Sequence, residues 1–225
     1  MFGKGFLVSW NDIEAAVETE YRSWHSKEHM PERLSIPGFT LGRRYIDLAA
    51  PANRYLTVYE ACKVDIFASD AYRSRLASPS PATTRMSLQM KNFVRRICRT
   101  VASDGMAIGG AAVVIRLQRK NNRDNAAAAA LTQALYAANE AAAAHFGTVD
   151  DQMSSLRSDR LQSHMSASAV APFNAVLFIE TDSRDMANRF LANLKTIITR
   201  SMPDAALVSC QIYDLALVYR PLYVE

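Results

Sequence analysis

His25 and His29 stand four residues apart in the run Trp24-His25-Ser26-Lys27-Glu28-His29-Met30-Pro31-Glu32-Arg33, so two of the chain's four histidines share one helix edge with Tyr21. Imidazole titrates near neutral pH and can move a proton for a bound phenol or enol. Near a helix C-terminus the protonated ring is favoured by the terminal carbonyls, by about 0.3–1 kcal/mol. The plainer role is capping, with both rings bonded to backbone at the helix end. The same residues match H-x-x-E-H, a pattern in which two histidines bind zinc and the glutamate activates water. Zinc needs a further ligand, and the candidates Glu60, His145 and His164 follow no motif. The spacing therefore calls for no metal, and no cofactor is expected.

The elements around the pair must position it. Residues 2–10 read as a strand, and Asn11 or Asp12 caps a helix with apolar positions Ile13, Val17, Tyr21 and Trp24. Pro31 is expected to stop that helix, because the residue before a proline is pushed out of the helical region. Residues 39–48 and 54–62 alternate as strands, Asp65 caps a short helix to Leu76, a Ser-Pro-Ser-Pro loop and a helical turn at 84–89 follow, and 92–102 is a strand.

The same order then recurs. Residues 107–117 read as a strand, 124–145 as an alanine-rich helix, 155–164 as a weak strand and 174–181 as a strong one, followed by a helix capped by Ser183 through Ile198 and a last strand at 206–219. Each half, residues 1–103 and a degenerate 104–225, is β-α-β-β-α-β, the ferredoxin-like order. The fold class expected is α+β: two such repeats packed sheet to sheet as an intrachain pseudo-dimeric barrel, with a cavity between the sheets. Alternation assigns Leu56 and Val58 to the helix-covered face and Tyr55, Thr57 and Tyr59 to the barrel interior, with Ser209, Gln211 and Tyr213 also inward. Tyr45, Tyr59, Gln211 and Tyr213 are then candidates for ligand contact or for plain packing. Glu60 and Glu180 end two apolar strands, and a salt-bridge role leads over that of a base.

Composition narrows the functional classes. A chain of 225 residues, 49% hydrophobic, can bury a substantial core. Its formal charge of +4 comes from 26 Lys and Arg against 22 Asp and Glu, scattered rather than striped, so no nucleic-acid partner is expected. Three distant cysteines, Cys62, Cys98 and Cys210, read as reduced core thiols of a cytoplasmic protein. No export signal is expected, since Phe6-Leu7-Val8 is broken by Ser9 and Asn11, and no membrane partner, since no apolar stretch reaches about 18 residues. Phosphate loops, dinucleotide fingerprints and nucleophile elbows find no match.

The run Trp24-His25-x-x-Glu28-His29-Met30-Pro31, the turn Pro37-Gly38-Phe39 and the strand carrying Arg43-Arg44-Tyr45 resemble the signature region of EthD-like proteins of the dimeric α+β barrel superfamily. The resemblance rests on motifs over residues 1–102 and on element order beyond. It implies a pocket between helices and sheet for a small, often aromatic molecule, and enzymes that include cofactor-free monooxygenases, cyclases, isomerases and lyases, with a minority of haem binders. In the second half only His145 answers the motif, so one site in the first half is expected. The leading reading is a cofactor-independent enzyme acting on a small hydrophobic or aromatic carbonyl compound, with His25 or His29 as proton carrier and Tyr21, Trp24, Tyr45 or Tyr59 at the ligand. The alternatives are a non-catalytic binding or structural barrel and, behind it, a haem binder. A homodimer through exposed edges or helix faces stays open.

Overall fold

The computed structural model describes residues 1, 3–121, 124–156 and 171–221. In the first half, β1 (Gly5–Ile13) leads into α1 (Glu18–Trp24), which runs through a π turn (His25–His29) into α2 (Met30–Leu34). Then come β2 (Phe39–Ile46), β3 (Tyr55–Ala61), α3 (Asp70–Ala77), α4 (Pro81–Ser87) and β4 (Met90–Asp104). The second half contains β5 (Ala111–Arg119), α5 (Asn125–Tyr136), β6 (Ala143–Val149), α6 (Asp151–Ser155), β7 (Ala175–Thr181), α7 (Arg184–Ser201) and β8 (Ala205–Tyr219).

The eight strands of the described residues join in one closed antiparallel barrel of order β1-β3-β2-β8-β5-β7-β6-β4. Within it each half keeps the ferredoxin-like strand order. The seams are β2 on β8, from Gly42 opposite Tyr219 to Ile46 opposite Asp214, and β4 on β6, from Cys98 opposite Val149 to Asp104 opposite Ala144. The expected class is thus the observed one: α+β, two βαββαβ halves sheet to sheet.

Strand pleat decides which residues meet inside. Phe6, Val8, Trp10, Tyr45, Leu56, Val58, Val94, Cys98, Val114, Val176, Phe178 and Tyr213 fill the space between the sheets as one apolar cluster. The expected faces of β3 are therefore reversed: Leu56 and Val58 point inward, while Tyr55 and Tyr59 pack among the helix-side residues. On the outer face of the first half, Met30, Leu34, Ile36, Phe39, Tyr59, Phe67 and Tyr72 form a second core, and α5 and α7 cover the second half through Leu131, Leu135, Phe190, Leu194 and Ile198.

One polar cluster is sealed into the barrel. Arg43, 1% exposed, donates through Nη2 to Glu60 Oε1 at 2.7 Å and through Nη1 to Glu180 Oε1, and both carboxylates are fully buried. The Glu180 carboxylate also accepts from the Tyr45 hydroxyl at 3.3 Å and the Gly109 N–H at 3.2 Å. Glu60 and Glu180 are ion-pair partners, and Tyr45 belongs to this network rather than to a ligand site. At the barrel's other end Gln211 donates to Asp47 at 3.2 Å, and the Tyr213 hydroxyl donates to the Asn53 carbonyl at 2.8 Å.

Local departures have local causes. Pro31 does not stop the helix. Met30 N–H reaches back five residues to the His25 carbonyl, and the proline falls in the first turn of α2, where its missing N–H costs least. Gly38, at φ +94°, then makes the turn into β2. Ser69 and Ser80, not Asp65, cap α3 and α4, each hydroxyl accepting a backbone N–H three residues on. The alanine-rich helix ends at Tyr136, and His145 lies on β6, its Nδ1 2.6 Å from the Ser103 hydroxyl. Of the strand expected at 155–164, residues 157–164 with His164 lie outside the described residues; the strand in that topological place is β6. Cys98 alone of the three free cysteines is buried, so Cys62 and Cys210 are not core thiols.

Candidate functional site

A cavity of about 120 Å³ lies outside the barrel, between the outer face of the first half-sheet and the helices that cover it. The sheet contributes Leu7, Ser9, Asn11, Thr57, Tyr59 and Arg95; the helices contribute Tyr21, Trp24, His25, His29, Arg33 and Thr83. The expected cavity between the sheets is thereby corrected: that space is packed, and the opening is under the helices. Of the residues singled out from sequence, Tyr21, Trp24, His25, His29 and Tyr59 meet here. Tyr45, Gln211 and Tyr213 lie in the barrel interior and do not line the cavity.

The π turn sets the histidine geometry. A turn widened by one residue swings the two rings onto the cavity side, with centroids 5.4 Å apart and planes at 35°. Trp24 packs at 4.7 Å on His29, and Tyr21 at 5.5 Å on His25. Tyr21 is fixed by donating to Asn11 Oδ1 at 3.1 Å. The Thr57 hydroxyl lies 3.4 Å from His25 Nε2. Neither ring caps the helix: both Nδ1 atoms are buried with no protein partner.

Electrostatics hold both imidazoles neutral. Burial, with Arg44 adding to it, pulls His25 down to about 3. His29 keeps some accessible surface, but burial of its ring, then Arg33, then His25, hold it well below the ordinary histidine range. The helix-end effect expected to favour protonation is outweighed, because desolvation of a charged ring exceeds the fraction of a kcal/mol that end carbonyls supply. Burial raises the Tyr21 and Tyr59 phenols, so both stay protonated.

Four further polar atoms on the wall share the histidines' condition. Asn11 Nδ2, Trp24 Nε1, Arg33 Nη1 and the Tyr59 hydroxyl are buried without a partner. Native proteins satisfy about 90% or more of such groups, and each orphan costs about 1–3 kcal/mol. Six around one cavity mark a place shaped for a polar occupant. Asn11 and Arg33 escaped the sequence reading. Arg33 carried a signal, since Tyr21, His25, His29 and Arg33 continue one four-residue spacing along the helix edge.

Metal and haem fit poorly. Glu28, the middle residue of H-x-x-E-H, accepts from the Ser80 hydroxyl, and among the described residues no three His, Cys, Asp or Glu side chains converge as a metal site. A space of about 120 Å³ is far below the roughly 300–1,000 Å³ of pockets for larger ligands, and a porphyrin does not fit it. It is close to the ~150 Å³ cavity known to take benzene.

No protein-family model matches the chain, and no curated protein matches it significantly. Solved structures do resemble it. An anthrone oxidase-like protein superposes at a TM-score of 0.63 with 8% identity, over 97% of this chain and 93% of its own. A Fusobacterium nucleatum protein, provisionally assigned as a monooxygenase, gives 0.58 and 12%, over 98% and 96%. A heme-binding protein of Thermus thermophilus gives 0.53 and 8%, over 95% and 91%. At these identities the likeness is one of fold: the chain has the architecture of the dimeric α+β barrel proteins.

Proposed function

We propose that the chain is a cofactor-independent enzyme that abstracts a proton from a small aromatic carbonyl or phenolic compound held under the π turn. The observation that carries this reading is the pair of neutral imidazoles, each with its Nδ1 unpartnered, lining a ring-sized cavity. A neutral imidazole has a lone pair to take the proton of an enolisable C–H or a phenol O–H, and the anion formed beside the ring stabilises the imidazolium that burial alone disfavours. The Tyr59 hydroxyl, Trp24 Nε1–H and Asn11 Nδ2–H then donate to the oxygen on which charge develops. Tyr21 and Trp24 hold the rings in place.

The resemblance of the first half to EthD-like proteins supports the same site, and the fold is shared with proteins whose names include oxidase and monooxygenase. Element order supports division into repeats 1–103 and 104–225, the second serving as scaffold. The unpaired thiols suit a cytoplasmic setting; among the described residues, no helix is long and apolar enough to cross a membrane.

The test uses 1-phenylpropan-2-one in D2O, with NMR following exchange at the benzylic carbon. Wild type should exchange it faster than buffer, and His25→Gln or His29→Gln should reduce that rate by about 10²–10⁴-fold, the span of general-base catalysis. Exchange undiminished in both folded variants would remove the histidines from the mechanism. A non-catalytic binder predicts saturable binding of the ketone with no exchange.

A further inference from the structure

Three guanidiniums are buried on the helix-covered face of the first half-sheet: Arg33 (6% exposed), Arg44 (5%) and Arg95 (8%). Among the described residues none of them has a carboxylate within ion-pair distance. Arg95 donates to the Tyr72 hydroxyl at 2.8 Å and the Ser154 carbonyl at 3.3 Å, and Arg44 to the Arg22 carbonyl at 3.3 Å. Arg33 lines the cavity with Nη1 unpartnered, its Cζ 6.0 Å from the centre of the Tyr72 ring. Elsewhere Arg43 pairs in the barrel with Glu60 and Glu180, and Arg22, Arg85, Arg99 and Arg184 pair with acids toward the surface. Among the described residues Arg116 and Arg119 are buried without a carboxylate too, but Arg116 lies over the Trp10 ring and donates to Asn53, and Arg119 donates to the Asp124 carbonyl, and neither lines the cavity. A buried, unpaired cation is unfavourable unless an anion joins it.

Three of the orphan atoms on this wall, Trp24 Nε1, Asn11 Nδ2 and Arg33 Nη1, are donors only. Between them stand the faces of Tyr21, Trp24, Phe39, Tyr59 and Phe93. The wall thus combines two guanidiniums, Arg33 with Nη1 unpartnered and Arg95 held by Tyr72 and Ser154, with further donors and aromatic surface around a volume suited to one ring.

We propose that the cavity takes a single-ring aromatic carboxylate, with its carboxylate on Arg33 and its ring among these aromatic side chains. This rests on the cavity being the ligand site argued above and specifies the ligand's class. A guanidinium recognises a carboxylate through two parallel N–H donors, which a lysine cannot reproduce.

Titration calorimetry on the full chain tests it with benzoate, benzamide and benzyl alcohol. Wild type should bind benzoate at least about tenfold more tightly than benzamide. Arg33→Met should abolish that preference, weakening benzoate far more than benzamide, and Arg33→Lys should retain part of it. A melting temperature of Arg33→Met at or above that of wild type without ligand shows that the variant is folded and that no internal pair was lost. Benzamide binding as tightly as benzoate, or benzoate affinity untouched in Arg33→Met, overturns the proposal. If histidine-dependent exchange of the ketone proceeds while benzoate is not bound, the anionic ligand class fails and the proton-transfer reading stands. If no aromatic probe binds and no exchange occurs, the reading of the cavity fails and takes this proposal with it.

Discussion

Replacing Arg43 with Met tests whether the barrel interior is held by a charge network or merely filled. The guanidinium lies between two fully buried carboxylates, 2.7 Å from Glu60 and in contact with Glu180. Removing one member of a buried pair typically costs about 3–5 kcal/mol, because the partner charge stays behind unpaired. For a chain of this size each kcal/mol corresponds to roughly 2–4 °C of melting temperature, so the expected drop is roughly 6–20 °C at pH 7. Even beside Arg43, burial raises the Glu180 carboxyl above its ordinary value. Without Arg43 the native state should hold a proton that the unfolded chain releases, so the deficit should shrink as pH falls from 7 toward 5. Adding Glu60→Gln and Glu180→Gln should recover much of the loss. Thermal melts of wild type, Arg43→Met and the triple variant across that range measure it. A loss below about 1 kcal/mol, or one that neither acid nor the glutamine substitutions relieve, would refute the network account.

Two further outcomes follow from burial. His25 and His29 titrate below their unfolded values, so between about pH 6.5 and 5 the unfolded chain binds more protons and stability should fall as pH falls; His25→Gln should flatten that slope in urea titrations, and an unchanged slope would contradict a neutral buried ring. Cys62 and Cys210 should react with a thiol reagent in the native protein and Cys98 only on unfolding, with Cys210 slowed because partial desolvation of its sulfur pushes the thiol up to about 11; prompt modification of Cys98 would mean that the barrel opens.

Element order was legible in the sequence because turns and periodicity are local. What failed was set by tertiary neighbours. All seven residues of β3 are buried, so alternation could not say which face met the barrel, and the assignment of Tyr55, Thr57 and Tyr59 was reversed. Ala143 and Ala144 favour a helix by propensity, but pairing with β4 and β7 makes them strand. The π turn has no compositional mark, and Pro31 suggested a stop where the chain only widens. In the site, His25 and His29 were readable from type and spacing. Arg33 shares that spacing, but its lack of a carboxylate partner is a property of its surroundings and was not readable.

The seam between β2 and β8 also shapes how the chain is made. β2 is complete once Ile46 has been synthesised, yet the strand that covers its edge begins only at Ala205. At about 5–20 residues per second, that edge waits on the order of ten to thirty seconds on the ribosome. During this interval its unpaired N–H and C=O groups invite another nascent chain. Barrel closure therefore makes the last strand the element that ends a period of exposure, and chains truncated before Ala205 should pair with their own copies through the bare β2 edge.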